Sequence, residues 1–327
     1  MPSIFITRSI PDAGPKILKA AGFAVKTFSK DVIIPRADLL KGVKGCDAIL
    51  SLLTDRIDAE VMDAAGPQLK IIANYSVGFD NVDLAAAKER KIVVTNAPVD
   101  ESTEAVAEHT FALMLALAHR IVEADEYAKA EKYKGWSPTL FLGEDVRGKT
   151  LGLIGAGRIG SAVCQRAVNG FGMTVVYSDV QPNRELESKF NARLLPLDQM
   201  LQAADFVSVH CPLLPSTRHL VSTEQFALMK KTAFLINTAR GPIVEEIALL
   251  RALRTKRIAG AALDVFENEP AIDADLTDKL ELKSFPNVIL TPHIASSTIE
   301  ARQAMSKLSA ENIVAVLSGK PALTPAK

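Results

Sequence analysis

Two short stretches of this sequence carry residues arranged for chemistry. The first is a Gly-x-Gly-x-x-Gly motif formed by Gly155, Gly157 and Gly160, which follows the apolar run KTLGLI and opens a helical segment at about residue 158. A glycine turn between a strand and a helix lets a pyrophosphate approach the backbone, and the helix N-terminus supplies free N–H groups. The second is TPHIAS, where His293 follows the apolar run NVILTP. A histidine there either closes a strand as a polar residue or donates a proton.

The residue that ends the next strand predicts which dinucleotide binds at the glycine motif. The strand MTVVYSD ends at Asp179, nineteen residues after Gly160. A carboxylate at this point accepts hydrogen bonds from the adenosine ribose hydroxyls and repels the 2′-phosphate of NADP. Val180, Gln181 and Pro182, which follow it, provide no cation for that phosphate. We therefore predict NAD as the cofactor, with NADH preferred over NADPH.

Composition and charge argue against several classes of protein. The chain has 327 residues, of which 48% are hydrophobic, and its 38 basic and 38 acidic residues leave no net charge. This balance disfavours nucleic-acid and membrane-surface partners, since both favour a basic patch. The apolar runs stop short of the ~20 residues of a membrane span, and no signal peptide is predicted. Three cysteines, far apart and without zinc spacing, predict a reduced, cytoplasmic protein with no disulfide framework and no metal.

Strand-like and helix-like runs alternate along most of the chain. Such alternation is typical of a parallel sheet that helices cover on both faces. We predict two doubly wound α/β units, with a dinucleotide-binding domain at 100–291. The second domain is predicted to be discontinuous, made of 1–99 and 292–327.

A long helix, STEAVAEHTFALMLALAHRI at 102–121, is predicted at the boundary between the domains, with Ser102 or Thr103 as its N-cap. Its middle is apolar nearly all round, so we expect burial on more than one face. This apolar character also favours a homodimer built on the dinucleotide-binding domain. The last segment, 297–318, is predicted to be a helix that packs back on the first domain.

Four motifs fall in one order along the chain: YSVGFDNVD at 75–83, GAGRIG at 155–160, NTARGPIVEE at 237–246, and LDVFENEP with LTPHIAS across 263–296. In this combination the chain resembles the D-isomer-specific 2-hydroxyacid dehydrogenases, and in particular their glyoxylate/hydroxypyruvate reductase branch. The resemblance covers nearly the whole chain. It implies two Rossmann-like domains with the active site in the cleft between them, and an oxidoreductase acting on D-2-hydroxy acids.

The catalytic Arg, Glu and His that the resemblance implies correspond here to Arg240, Glu269 and His293, and their chemistry fits the reaction. Reduction of a 2-oxo acid needs a hydride at C2 and a proton on the oxygen, which a histidine can hold near neutral pH. Glu269 is expected to fix the tautomer of His293 and to favour its imidazolium form. Arg240 follows the strand TAFLIN and can bind a carboxylate in bidentate fashion.

The resemblance also implies which residues contact the cofactor and the substrate. His210 is expected to line the cofactor, and Asp264 to face the nicotinamide ring. The backbone N–H groups of Val77 and Gly78 are expected to bind the substrate carboxylate, and Trp136 to reach the partner's active site in a homodimer. The predicted cofactor contacts are Gly155, Gly157, Arg158, Ile159, Gly160, Asp179, His210, Pro212, Thr217, Thr238, Ala239, Arg240, Asp264, His293 and Ala295.

The remaining histidines are assigned no chemistry. His109 and His119 fall on the apolar helix, where core or interface roles are expected. His219 lies in a polar turn. Among the five histidines, a catalytic role is thus predicted only for His293.

The loop SLLTDRID at 51–58 predicts the size and charge of the substrate. It begins with Leu52 and Leu53, and its one arginine, Arg56, comes later. In the phosphoglycerate relatives the corresponding loop supplies arginines to a phosphate, and the phosphite relatives place a lysine where Val77 stands. Without these cations a substrate with an added phosphate is poorly matched. We predict glyoxylate and hydroxypyruvate as substrates, and poorer reduction of bulky branched 2-oxo acids that would meet Leu52 or Leu53.

Two other functions remain compatible with the sequence. A relative acting on another substrate, such as D-3-phosphoglycerate, formate or phosphite, would keep the same motifs. A protein of another class, a corepressor-like NAD-sensing binding protein, could keep the catalytic residues too, although long extensions at either end are lacking here. Oxidation of NADH by 2-oxo acids would distinguish these alternatives.

Overall fold

The structure, a computed structural model, describes residues 1–272 and 281–326. Within these residues the chain divides into two compact units. One unit is built on a five-stranded sheet and the other on a seven-stranded sheet, and every strand pairing in both is parallel. The predicted fold class, two doubly wound parallel-sheet domains, is confirmed.

Unit 1 contains residues 1–102 and 297–326. Its strands are β1 (Ser3–Ile6), β2 (Ala24–Thr27), β3 (Ala48–Leu52), β4 (Ile71–Tyr75) and β5 (Val93–Thr95), and its helices are α1 (Ala13–Ala20), α2 (Arg36–Gly42), α3 (Ala59–Ala65), α4 (Leu84–Glu89) and, at its end, α12 (Ile299–Leu317). The sheet order is β2-β1-β3-β4-β5, and α12 packs against α1 and β4. The central strands are apolar and buried, as expected for a sheet covered on both faces.

Unit 2 contains residues 103–272 and 281–296. Its strands are β6 (Thr150–Ile154), β7 (Thr174–Ser178), β8 (Arg193–Leu194), β9 (Phe206–Val209), β10 (Phe234–Asn237), β11 (Gly260–Leu263) and β12 (Val288–Leu290). Its helices are α5 (Asp100–Ala118, which begins in unit 1), α6 (Ile121–Lys129), α7 (Arg158–Phe171), α8 (Arg184–Phe190), α9 (Leu197–Ala203), α10 (Thr223–Leu228) and α11 (Glu246–Arg254), with 3-10 turns at Gly241–Ile243 and Leu282–Ser284. The sheet order is β12-β11-β10-β9-β6-β7-β8, so the strand order reverses between β6 and β9. In such sheets ligands bind beyond the carboxyl ends of the strands at this point of reversal.

The long helix predicted at 102–121 differs from the structure at both ends. Helix α5 begins at Asp100, so the predicted N-caps, Ser102 and Thr103, lie inside its first turn. Acidic residues open that turn, where their charge is favoured by the helix dipole. The helix ends at Ala118, because Arg120 has a left-handed φ of 55° and α6 starts after it with a 63° bend.

Burial of α5 on more than one face is confirmed. Its exposed residues, Asp100, Glu101, Glu104, Glu108 and Ala112, form one stripe, and most of the other positions are buried. Within the described ranges no single helix is both long and apolar enough to cross a membrane, although α5 and α6 taken together pass such a test.

Candidate active site

The glycine motif lies where the strand order of the unit 2 sheet reverses. Gly155 follows β6 with a left-handed φ of 96°, and a Cβ there would lie 2.6 Å from the backbone N of Cys211. A Cβ on Gly160 would overlap the carbonyl oxygen of Gly155, so the first turn of α7 packs directly on the glycine turn. A Cβ on Gly157, by contrast, would have no other heavy atom within 4 Å. Packing within the protein therefore does not require glycine at this position, whereas close approach of a pyrophosphate does.

The start of α7 suits an anionic ligand. The helix begins at Arg158, directly after Gly157, and its first turn contains no acidic residue. Its N-terminal N–H groups and partial positive charge would hold the phosphates of a dinucleotide. The glycine turn and the first residues of α7 fit the predicted cofactor, NAD, which would supply the hydride when bound.

Asp179 stands at the carboxyl end of β7 and fixes the glycine turn. Its Oδ2 accepts the N–H of Ala156 at 2.8 Å, and its Oδ1 accepts the N–H of Val180 at 2.6 Å. Asn183 donates from Nδ2 to the carbonyl oxygen of Ala156 at 2.7 Å. The Asp179 side chain is exposed, and a carboxylate keeps further lone pairs for ribose hydroxyls. Asn183 was missed from the sequence, where it reads only as the N-cap of α8.

The loop after β9 lies beside the glycine turn. Nε2 of His210 is 2.8 Å from Oγ of Ser208, and burial lowers the pKa of His210 to about 3. The ring is therefore neutral at physiological pH, which makes it unsuited to donate a proton in catalysis. Thr217 donates from Oγ1 to the carbonyl oxygen of Pro212 and accepts the N–H of Leu214, both at 2.7 Å. These bonds fix the backbone of the loop.

His293 and Glu269 form a hydrogen-bonded pair. Nδ1 of His293 lies 2.8 Å from Oε2 of Glu269, and the two side chains are 24% and 29% exposed. Oε1 of Glu269 accepts the N–H of Phe266 at 2.9 Å. A carboxylate at this distance favours the tautomer that carries a proton on Nδ1. Nε2, the opposite ring nitrogen, is then the atom that can transfer a proton.

Asp264 anchors the loop that carries His293. Its carbonyl oxygen accepts the N–H of His293 at 2.9 Å, while its carboxylate accepts the N–H of Ile294 at 2.9 Å and that of Ala295 at 2.8 Å. His293 has a left-handed φ of 55°, which is uncommon for a residue with a side chain. The bonds from Asp264 hold the backbone in this conformation and so orient the imidazole.

The Asp264 carboxylate is fully buried, and further polar groups stabilise its charge. Oγ1 of Thr291 donates to Oδ1 at 2.6 Å, and Nε2 of His109 lies 3.6 Å from the same oxygen. Burial alone would raise the pKa of Asp264, but the nearby ring of His109, together with hydrogen bonds from Thr291 and the loop N–H groups, holds it below the usual value. The predicted contact of Asp264 with the nicotinamide ring stays a prediction.

Arg240 lies in a turn that follows β10. Asn237, which is buried, donates from Nδ2 to the carbonyl oxygen of Arg240 and accepts the N–H of Ala239, both at 3.0 Å. Nη1 of Arg240 donates to the carbonyl oxygen of Ala239 at 2.9 Å. The hydroxyl of Thr238 is buried against that of Thr110, at 3.1 Å. The structuring role of Asn237 was missed from the sequence, since its partners are its own backbone neighbours.

The three predicted catalytic residues follow adjacent strands. Arg240 comes after β10, Glu269 after β11 and His293 after β12, and these strands are neighbours in the sheet. Parallel strands present their carboxyl ends at one edge, so the three residues lie along the same edge of unit 2. Within the described residues no group of three or more His, Cys, Asp or Glu side chains could hold a metal ion.

In unit 1, side-chain amides fix the turn that contains Val77 and Gly78. Nδ2 of Asn74 donates to the carbonyl oxygen of Gly78 at 3.0 Å, and Nδ2 of Asn96 donates to that of Val77 at 2.7 Å. Nδ2 of Asn81 donates to the carbonyl oxygen of Leu52 at 3.0 Å, directly before Leu53. Both predicted substrate-contacting segments of unit 1 therefore have a fixed backbone.

Comparison with known proteins establishes the family. The family described as D-isomer specific 2-hydroxyacid dehydrogenase, NAD binding domain, matches residues 111–295. A glyoxylate reductase from Thermofilum pendens is 48% identical over 326 residues, which cover 98% of this chain and 94% of that protein. The chain belongs to the D-isomer specific 2-hydroxyacid dehydrogenase family. The predicted family is confirmed, and with it an oxidoreductase that has an NAD-binding Rossmann domain.

Solved structures resemble this dehydrogenase over its whole length. The TT0316 protein from Thermus thermophilus superposes with a TM-score of 0.91 at 43% identity, covering 99% of this chain and 100% of that one. An NADPH-dependent glyoxylate/hydroxypyruvate reductase from Sinorhizobium meliloti superposes with a TM-score of 0.84 at 32% identity, covering 100% and 98%. The family implies a nicotinamide cofactor and a small-molecule acid as substrate.

Proposed function

We propose that this dehydrogenase reduces glyoxylate and hydroxypyruvate with NADH, giving glycolate and D-glycerate. The hydrogen bond between Nδ1 of His293 and Oε2 of Glu269 carries the proposal, since it is the arrangement that a general acid requires. His293 gives the proton from Nε2 to the C2 oxygen as the hydride arrives at C2. Arg240 binds the carboxylate of the substrate and polarises the neighbouring carbonyl.

Asp179 supports the choice of NADH. Its exposed carboxylate stands beside the glycine turn, where it would accept from the ribose hydroxyls and repel a 2′-phosphate. The nearest following cation, Arg184, already pairs with Glu187 at 3.2 Å. The Sinorhizobium meliloti relative is NADPH-dependent, so membership of the family does not by itself decide between NADH and NADPH.

A small substituent at C2 is proposed because of the residues predicted to contact the substrate. Leu53 limits the size of that substituent, and the N–H groups of Val77 and Gly78 bind the carboxylate without an added cation. The relatives from Thermofilum pendens and Sinorhizobium meliloti, a glyoxylate reductase and a glyoxylate/hydroxypyruvate reductase, support this substrate class.

The protein is proposed to act as a homodimer through unit 2. A groove between α5 and α7 is lined partly by apolar side chains, namely Phe111, Ala112, Leu115 and Phe171. Trp136, in the segment after α6, is 82% exposed. Covering such apolar surface is a common reason for association. In this assembly Trp136 reaches the partner's active site.

The test is a substrate panel. The kcat/KM for NADH-dependent reduction is compared for glyoxylate, hydroxypyruvate, pyruvate, 2-oxoisocaproate and 3-phosphohydroxypyruvate. Glyoxylate and hydroxypyruvate should be reduced best, and the branched and phosphorylated acids worst. A clear preference for either of the last two acids would refute the proposed substrate, and NADH binding without turnover of any 2-oxo acid would favour a sensing protein.

A further inference from the structure

We infer that Glu267 is a positioning residue for the His293–Glu269 pair, an inference that rests on the proposed function. Glu267 precedes Glu269 by two residues in the segment after β11. Its side chain is 16% exposed and binds two other segments of unit 2. These bonds connect the segment that carries Glu269 to the segment that carries Arg240.

The first connection is a reciprocal pair of hydrogen bonds with Glu246. Oε2 of Glu267 accepts the N–H of Glu246 at 3.2 Å, and Oε2 of Glu246 accepts the N–H of Glu267 at 3.2 Å. Glu246 is the first residue of α11, where an N–H has no acceptor within the helix. The Glu267 carboxylate thus accepts an N–H at the N-terminus of α11. Both the backbone and the side chain of Glu267 are bound to Glu246.

The second connection is direct backbone contact. A Cβ on Gly241 would overlap the carbonyl carbon and oxygen of Phe266, so only glycine permits this approach. Gly241 follows Arg240 directly, and Phe266 precedes Glu267. The N–H of Phe266 is the group that binds Oε1 of Glu269. The backbone that orients Glu269 therefore rests against the backbone that carries Arg240.

The third connection runs through His219. Nε2 of His219 lies 2.6 Å from Oε1 of Glu267, and the N–H of His219 donates to the carbonyl oxygen of Pro242 at 2.8 Å. Nη2 of Arg218 stands 3.6 Å from the same Glu267 oxygen. His219, to which the sequence assigned no role, is thereby bound both to Glu267 and to the segment after Arg240.

Glu267 is the residue that these connections share. Removing its carboxylate removes the hydrogen bonds that it makes with the N–H of Glu246 and with the ring of His219. The Phe266–Glu269 segment then gains freedom, and the bond between Glu269 and His293 is held less well. Glu267 does not need to touch substrate for its loss to slow proton transfer, because small displacements of positioned groups cost large factors in rate.

The experiment compares Glu267→Ala and Glu267→Gln with wild type and with Glu224→Ala, an exposed glutamate of α10 that serves as the matched control. The readouts are kcat and KM for glyoxylate, the Kd for NADH, the pH profile of kcat, and Tm. We expect kcat of Glu267→Ala to fall at least tenfold with the NADH Kd unchanged within twofold. The alkaline limb of its reduction profile should move to lower pH, because Glu269 then supports the imidazolium of His293 less well.

Glu267→Gln keeps an acceptor oxygen and should retain more of kcat than Glu267→Ala. His219→Ala removes one partner of Glu267 by changing a side chain that is itself 37% exposed, so it gives a foldable second variant with a smaller change of the same kind. A lower Tm with an unmoved pH profile, or wild-type kcat in Glu267→Ala, would overturn the inference. Wild-type protein that reduces no 2-oxo acid would instead refute the proposed function, so the two failures are distinguishable.

Discussion

Glu269→Gln tests the proposed proton donor most directly. The substitution keeps the size and one acceptor oxygen of the side chain, so a hydrogen bond to Nδ1 of His293 is still possible. It removes the negative charge that stabilises the imidazolium. The rate of reduction should therefore fall, whereas binding of NADH, which depends on the glycine turn and Asp179, should be unchanged.

The size of the effect follows from the geometry of the pair. A hydrogen bond contributes about 1.5–3 kcal/mol when one partner is charged and about 0.5–1.5 kcal/mol when both are neutral, so loss of the charge alone costs about 1–1.5 kcal/mol, and each ~1.4 kcal/mol changes a rate tenfold. The two side chains are 24% and 29% exposed, so solvent screens part of the charge interaction and favours the lower half of this range. We expect kcat to fall about 5- to 10-fold. His293→Gln removes the acid itself and should cost roughly 10²- to 10⁴-fold.

The assay is steady-state loss of NADH absorbance with glyoxylate across a series of pH values. In wild type, reduction should fall as pH rises, since protonated His293 is the donor, and oxidation of glycolate should show the opposite trend. In Glu269→Gln the fall should begin at lower pH. Because the two residues act as one unit, the double variant should be little slower than His293→Gln alone. Additive losses in the double variant would refute the pair as the proton-donating unit.

The other predictions concern the cofactor, stability and assembly. Asp179→Ala should weaken the preference for NADH, and equal kcat/KM with NADPH in the wild type would contradict this assignment. Gly157→Ala should weaken NADH binding in calorimetry with little change in Tm, whereas Gly160→Ala should lower both, because its Cβ meets Gly155. Asp264→Asn should lower the free energy of unfolding by about 1–3 kcal/mol at neutral pH. The pKa of Asp264 is lower in the folded than in the unfolded state, so its ionised form stabilises the fold above the unfolded pKa, and this stabilisation is lost as pH falls through the folded pKa. The free energy of unfolding of Asp264→Asn should therefore decrease less steeply with falling pH than that of the wild type. A strictly monomeric mass in light scattering would refute the homodimer.

The sequence predicted the two sheets well because buried parallel strands appear as short apolar runs. Strand β8, Arg193–Leu194, was missed since it has two exposed residues and no such run. Helix α6 has no buried residue and α2 has only Leu39, so neither shows an apolar face in the sequence. The end of α5 depends on a left-handed Arg120, and arginine gives no signal for that conformation.

The candidate site was predicted unevenly for a related reason. The glycine motif and Asp179 are recognisable because a strand, a turn and a helix follow each other locally. The contacts that support His293, the predicted proton donor, could not be predicted in this way. Asp264 acts on a loop 29 to 31 residues later, and Glu267 acts on Glu246, 21 residues earlier. Such partners become neighbours only when the strands that precede them pair.

The order of the strands places the residue proposed to recognise the cofactor and the residues proposed to act on the substrate at separate positions along one edge of the unit 2 sheet. Asp179 follows β7, while Arg240 and His293 follow β10 and β12, three and five strands away. At about 4.8 Å per strand, these positions are roughly 14 and 24 Å apart across the sheet. Side chains this far apart without shared partners usually act independently. Asp179→Ala should therefore change the choice between NADH and NADPH while leaving the pH profile of reduction unmoved. A shift of that profile in Asp179→Ala would mean that cofactor recognition and proton donation are coupled in a way that the sheet order does not explain.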